Sequence, residues 1–201
     1  MRLPLSNVTE YAGSGNSDVS ATISTNSLKS GRLRLRRTQE EELIMIPTTH
    51  EARIVQQFSH PVSLVYEAWT KPRHIEHWLR PAESIRLSVK EFNFREGGEY
   101  FFDYVWADGA KPVRGKFLRI VPEHSLIFSW VPQPPDPDAG AETMVSVFFR
   151  AQDENRTEVE VLHTLFPNAP MCDCHDQGWS GALTLLSALL SESRANNLTT
   201  H

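Results

Sequence analysis

The sequence predicts an α+β fold: a curved antiparallel sheet covered on its concave face by one long amphipathic helix, in the order β-α-α-β6-α. Three observations carry this. Six runs of alternating hydrophobicity follow one another between residues 84 and 166, each bounded by turn-forming residues. Trp179, Leu183, Leu186 and Leu190 repeat at helical spacing in the last long segment. Of the 19 aromatic residues, 18 lie between Phe58 and Trp179, with Tyr11 the exception, so the core belongs to that stretch.

The elements follow in order. Ala52–Phe58 alternates and is rich in β-formers, a first strand. Pro61 is suited to the first position of a helix, and Val62, Val65, Tyr66 and Trp69 make its apolar stripe. Pro72 stops that helix and starts a second, short one in which Ile75, Trp78 and Leu79 share a face, and Pro81 ends it. The six further strands are expected at Ser84–Phe94, Glu99–Trp106, Val113–Val121, Ser125–Val131, Thr143–Ala151 and Thr157–Phe166. Gly97-Gly98, Asp108-Gly109, Pro122-Glu123, the Pro-rich loop 132–140 and Asp153–Arg156 separate them, the pattern of a meander. The last helix is expected from about Cys172 to Arg194. Ala182 and Leu189 lie beside its stripe, and Ser180, Thr184, Ser187 and Ser191 form its wet face. Gly178, just before Trp179, is expected to permit close approach of this helix to the sheet. No linker divides residues 50–195, which argues against a split into two small units.

The flanks read differently. Residues 1–30 hold seven Ser, three Thr, three Asn and two Gly. So few large apolar groups cannot offset the entropy of ordering the backbone. Residues 1–47 are therefore expected to be a disordered tail, 48–195 the folded domain, and 196–201 a disordered C-terminus. The run Arg32–Arg37 beside Glu40–Glu42 reads as a solvated linker, because Glu10 and Asp18 do not suit an acid-poor transit peptide. A start at Met45 is an alternative. The tail lacks the apolar core of a secretory signal, and no stretch approaches the roughly 20 apolar residues of a membrane span. The formal charge of −5 argues against a nucleic-acid partner. Two cysteines, Cys172 and Cys174, are too few and too close for a disulfide framework, and the simplest setting is the reducing cytoplasm.

Five features occur in the order found in the activator-of-heat-shock-protein-90-ATPase homologues of the START/Bet v 1-like (SRPBCC) superfamily. They are Phe58-Ser59-His60-Pro61 followed by Val65-Tyr66-Glu67-Ala68-Trp69-Thr70; Trp78-Leu79-Arg80-Pro81; Phe92-Asn93-Phe94-Arg95-Glu96-Gly97-Gly98; Asp108-Gly109 leading to Gly115; and His175-Asp176-Gln177-Gly178-Trp179. The chain resembles that family over about residues 52–192. The family usually has a second aromatic and a glycine between the tryptophan and the proline of the second feature. Here Leu79 and Arg80 stand there, a departure that falls on the rim of any cavity. The resemblance implies a helix-grip fold, a seven-stranded sheet wrapped around the C-terminal helix with a cavity between them.

Alternation assigns the faces. Tyr100, Phe102, Tyr104 and Trp106 share one parity, as do Leu126, Phe128 and Trp130; Val145, Val147 and Phe149; and Val159, Val161 and His163. With Trp78 from the second helix and Trp179 and Leu183 from the last, these supply the cavity candidates: Trp78, Tyr100, Phe102, Tyr104, Trp106, Phe128, Trp130, His163, Trp179 and Leu183. The competing reading is that the aromatics simply fill the core. His163 ends an apolar run and suits a polar anchor, a general base or a hydrogen-bonded structural histidine. Glu99 and Asp103 fall on the outward parity, which weakens an acid/base pair built from them. Cys172-x-Cys174-His175 lacks the further ligand zinc needs, so no metal is expected there, although a thiol at a helix N-terminus can be reactive. No P-loop, dinucleotide or hydrolase motif appears, and no cofactor is expected. Three functions compete: binding or carrying a small hydrophobic molecule, then cyclase- or hydratase-type catalysis on an aromatic or polyketide-like substrate, then co-chaperone action on heat-shock protein 90. The third ranks last because the co-chaperone has a separate N-terminal domain, for which the first 47 residues are too short and polar.

Overall fold

The computed structural model describes residues 50–198, with side chains described as far as Glu192. The tail expected over 1–47 lies outside the described residues. The elements are β1 (His50–Phe58), α1 (Val62–Thr70), α2 (Pro72–Trp78), β2 (Arg86–Phe92), β3 (Glu99–Trp106), β4 (Gly109–Val121), β5 (Ser125–Pro132), β6 (Thr143–Asp153), β7 (Arg156–Phe166) and α3 (Ala169–Leu198).

Turn chemistry sets the sheet. Trp106 pairs with Gly109 across the two-residue turn of β3 and β4, where Gly109 takes φ 136°, a conformation that side chains resist. At the β6–β7 turn the Asp153 carboxylate accepts the Asn155 N–H at 2.9 Å and Arg156 Nε–H at 2.6 Å. The result is one seven-stranded antiparallel sheet in the order β1-β7-β6-β5-β4-β3-β2. Strands β2 to β7 meander, and β1 closes onto β7, from His50 opposite Phe166 to Phe58 opposite Thr157. Register shifts between Val89 and Glu91 in β2 and between Phe117 and Arg119 in β4 add the bulges that curve a sheet.

The short helices close one side of the concavity. Pro72 occupies the first turn of α2, and Trp78 Nε1 donates to the Ala68 carbonyl at 3.0 Å, tying α2 to α1. The expected first helix is shifted by one residue, because Pro61 is the N-cap and Val62 the first helical residue.

The last helix starts three residues before the expected Cys172. Asn168 Oδ1 accepts the Met171 N–H at 2.8 Å, an N-cap that sequence periodicity does not reveal. It also runs to Leu198, so the C-terminus expected to be disordered from 196 is helical over 196–198. Trp179, Ala182, Leu183, Leu186 and Leu190 are buried against the sheet face that carries Val145, Val147, Val159 and Val161. Each such leucine contributes roughly 1.5–3 kcal/mol through burial. The close approach expected at Gly178 occurs instead at Gly181. A Cβ there would stand 2.0 Å from the Pro81 carbonyl oxygen, whereas at Gly178 it would meet only Pro81 Cβ, at 3.9 Å. The helix therefore approaches the segment after α2, not the sheet, at its closest point.

On the convex face, Glu160 is nearly buried and receives Arg53 at 2.7 Å and Arg150 at 2.6 Å, linking β1, β7 and β6. Hydrogen bonding to Arg150, foremost, and the charge of Arg53 hold its carboxyl below the ordinary range.

Candidate ligand-binding site

The inward residues of β3 form a gradient from closed to open. Exposure rises from 1% at Tyr100 to 3% at Phe102 and 7% at Tyr104, and Trp106 is only half-buried. At the closed end Tyr100 donates to the Ser129 carbonyl at 2.7 Å. It can do so because Gly115 stands opposite: a Cβ at 115 would lie 2.0 Å from Ser129 O and 2.5 Å from the Tyr100 hydroxyl. Phe102 packs 4.4 Å from the Tyr100 ring, and Phe128 lies 5.9 Å from it. These rings, with Trp78, enclose a void of only about 20 Å³, little more than the room one water needs.

At the open end lies a cavity of about 370 Å³, within the ~300–1,000 Å³ typical of small-molecule sites. Tyr104 and Trp106 of β3, Lys111 to Val113 of β4, and Trp130 and Pro132 of β5 supply the sheet side. Cys174, His175, Gln177, Gly178, Trp179 and Ala182 of α3 supply the other, and Leu79, Arg80 and Pro81 complete the rim. Of the ten residues expected to line one cavity, Tyr104, Trp106, Trp130 and Trp179 meet here. Trp78, Tyr100, Phe102 and Phe128 surround the small void, Leu183 is fully buried in the core, and His163 lies outside the lining of both.

His163 is fully buried and both its nitrogens are committed. Trp179 Nε1–H donates to Nδ1 at 3.0 Å, which puts the proton on Nε2. Nε2–H then donates to Thr143 Oγ1 at 2.7 Å, and that hydroxyl donates to the Trp130 carbonyl at 2.9 Å. Every donor in this chain has its acceptor, so the neutral imidazole is the form that fits. Burial, with the neighbouring His175 adding to it, lowers the His163 pKa to about 2. No lone pair is left for base chemistry; the residue positions Trp179 and Trp130, two walls of the cavity.

Of the rim groups, the sequence marks Leu79 and Arg80 as a departure from the family pattern but gives Lys111 and His175 no place at the cavity. Arg80 donates to the carbonyls of His77, Glu83 and Ile85, each at 3.0 Å, and so pins the loop between α2 and β2. Lys111 Nζ lies 4.8 Å from the Trp106 ring centroid and 3.6 Å from Asp108. His175 is the chief omission, since beside Cys174 it reads as part of a metal motif. Its Nδ1–H donates to the Met171 carbonyl at 2.8 Å, and burial lowers its pKa. Cys172 instead packs with Ala52, Phe166 and Met171, away from exposed Cys174. Among the described residues, no three His, Cys, Asp or Glu are grouped to hold a metal ion, and no helix is long and apolar enough to cross a membrane.

Comparison with known proteins agrees with this architecture. No curated protein matches the chain. A protein of solved structure from Arthrobacter aurescens is 22% identical with a TM-score of 0.63, over 71% of this chain and 87% of its own. The AHSA1 protein of Silicibacter pomeroyi is 19% identical with a TM-score of 0.62, over 71% of this chain and 99% of its own. A Chromobacterium violaceum protein is 20% identical with a TM-score of 0.60, over 69% and 96%. These likenesses establish the helix-grip fold. A family model described as Activator of Hsp90 ATPase homolog 1-like protein matches residues 59–191, most of the chain. By that match and by its fold, the chain belongs to the Activator of Hsp90 ATPase homolog 1-like family.

Proposed function

We propose that the protein binds or carries a small, largely apolar molecule in the cavity between the sheet and α3. The observation that supports this is the lining itself: Tyr104, Trp106, Trp130 and Trp179 with Leu79, Val113 and Ala182 around about 370 Å³ of open space. Aromatic walls with few polar tips are what such ligands require. The setting proposed with this reading is the cytoplasm, where a thiol such as that of exposed Cys174 stays reduced. Nile red, an uncharged apolar dye, should bind saturably, near one per chain, and quench indole emission. Gly178→Phe should abolish this binding while leaving the fold intact, because Gly178 lines the cavity and a Cβ there meets only Pro81 Cβ, at an ordinary 3.9 Å. Absence of saturable binding, together with no retained metabolite in native mass spectrometry, would refute the proposal.

A second reading, catalysis on the bound molecule, is favoured by one feature. His175 keeps Nε2 as an unpartnered lone pair on the cavity wall, the form a general base needs. Turnover of a candidate substrate should then fall roughly 10²–10⁴-fold in His175→Gln.

A further inference from the structure

The polar groups around the cavity divide into those already engaged and those left over. His163 and Thr143 are saturated by their hydrogen-bond chain. The Trp130 N–H has no partner, but it is enclosed by its neighbours, so Trp130 offers ring surface and no donor. At the rim, the Arg80 guanidinium is turned onto three carbonyls, Lys111 onto Trp106 and Asp108, and Asp136 Oδ1 onto the Asp138 N–H.

Of those left over, which include the Gln177 amide, the exposed Cys174 thiol and the Trp106 N–H, two adjoin the Trp130 ring, one on each wall. The Tyr104 hydroxyl, on β3, belongs to the cavity lining and makes no hydrogen bond to another described residue. Burial raises its pKa far above the ordinary value of 10, so it stays a donor. On α3, His175 spends Nδ1–H on Met171 and leaves Nε2 as an acceptor. The Trp130 ring neighbours both, its centroid 6.2 Å from that of Tyr104 and 6.1 Å from that of His175. A flat molecule lying against Trp130 has a donor at one end and an acceptor at the other.

We infer that the ligand is an uncharged, ring-sized apolar compound carrying a carbonyl oxygen for the Tyr104 hydroxyl and a hydroxyl for His175 Nε2. A hydroxyaryl ketone is the simplest such class. The inference rests on the binding reading above. A permanently charged ligand is disfavoured, because desolvating its charge among these rings would go uncompensated.

Calorimetry with a matched naphthalene series tests it: 6-acetyl-2-naphthol, 2-acetylnaphthalene, 2-naphthol and 6-hydroxy-2-naphthoate, with Nile red as the apolar control. Acetylnaphthol should bind about 3- to 10-fold more tightly than either compound lacking one group, the worth of one neutral hydrogen bond. Tyr104→Phe should erase the advantage of the acetyl group and keep that of the hydroxyl; His175→Phe should do the reverse. Should either variant fail to fold, the ligand series on the unaltered protein still decides. Equal affinities across the naphthalenes, with Nile red still bound, would overturn the ligand class and spare the binding reading. Tightest binding of the naphthoate would overturn it in favour of Arg80 and Lys111. Failure of Nile red and every naphthalene to bind would overturn both.

Discussion

Gly178 and Gly181 lie three residues apart on α3, and the same substitution at each should move stability in opposite directions. In mid-helix, alanine is favoured over glycine by about 1 kcal/mol. At Gly178 the new methyl would meet only Pro81 Cβ, at an ordinary 3.9 Å, so nearly the whole gain is realised. At Gly181 it would stand 2.0 Å from the Pro81 carbonyl oxygen, which would have to retreat by more than about 1 Å to restore a normal contact. That oxygen belongs to backbone at the cavity rim, where Arg80 pins the loop through His77, Glu83 and Ile85. Overpacking of this kind costs about 1–3 kcal/mol, and rigid backbone puts this case at the upper end. Gly178→Ala should therefore gain about 0.5–1 kcal/mol and Gly181→Ala lose about 1–2 kcal/mol net. Thermal unfolding followed by circular dichroism reads the difference, since 1 kcal/mol moves a domain of this size by roughly 2–4 °C. Gly178→Ala should melt a few degrees above the parent and Gly181→Ala several degrees below it. If Gly181→Ala proves as stable as Gly178→Ala, α3 does not lie on Pro81, and the rim as described is wrong.

Trp179→Phe keeps an aromatic ring but leaves His163 Nδ1 buried without its donor; it should cost about 2–4 kcal/mol in urea unfolding, against less than about 0.5 kcal/mol for Ser180→Ala on the wet face. Stability should fall with acidity because His163 titrates near 6.5 when unfolded and near 2 when folded. The unfolded chain takes up the proton first, so about 1.4 kcal/mol is lost per pH unit below 6.5, and urea titrations at stepped pH should show this slope flattening in His163→Gln. Glu160 behaves as a carboxylate with a lowered folded pKa, its contribution present at neutral pH and lost as pH falls through that value. Arg150→Met should accordingly shift acid unfolding to higher pH, as tryptophan fluorescence would report.

Much of this fold was legible because its signals are local. The alternation in β3 and the stripe Trp179, Leu183, Leu186 and Leu190 state which side chains face inward, and prolines 61, 72 and 81 mark the short helices. Position along the strand was not legible. Parity puts Tyr100 and Tyr104 on the same face, yet one ends in the sealed half and the other in the open half, because the division depends on where α3 lies across the sheet. Leu183 shares the helix stripe but points into the valine-lined core. His175 was hidden by its neighbours: only its bond to Met171 and its place on the cavity wall distinguish it from a metal-motif histidine. Asn168 was the missed sequence signal, an N-cap residue two positions before Pro170 that marks the true start of α3.

The pairing of β1 with β7 has a consequence for synthesis. Phe58 finds its partner in Thr157, and Thr157 Oγ1 donates to the His60 carbonyl across 97 residues of chain. At ~5–20 residues per second, roughly 5–20 s pass between the emergence of these two strands from the ribosome. The hairpins from β2 onward can form as they appear, because each neighbour follows at once. During this interval β1 lacks its native neighbour β7, and the aromatic face of β3 and β5 waits uncovered for α3, the last element of the described domain. The nascent domain is therefore most vulnerable to sticking just before its final helix arrives, and slow codons placed ahead of residue 169 would prolong that exposure.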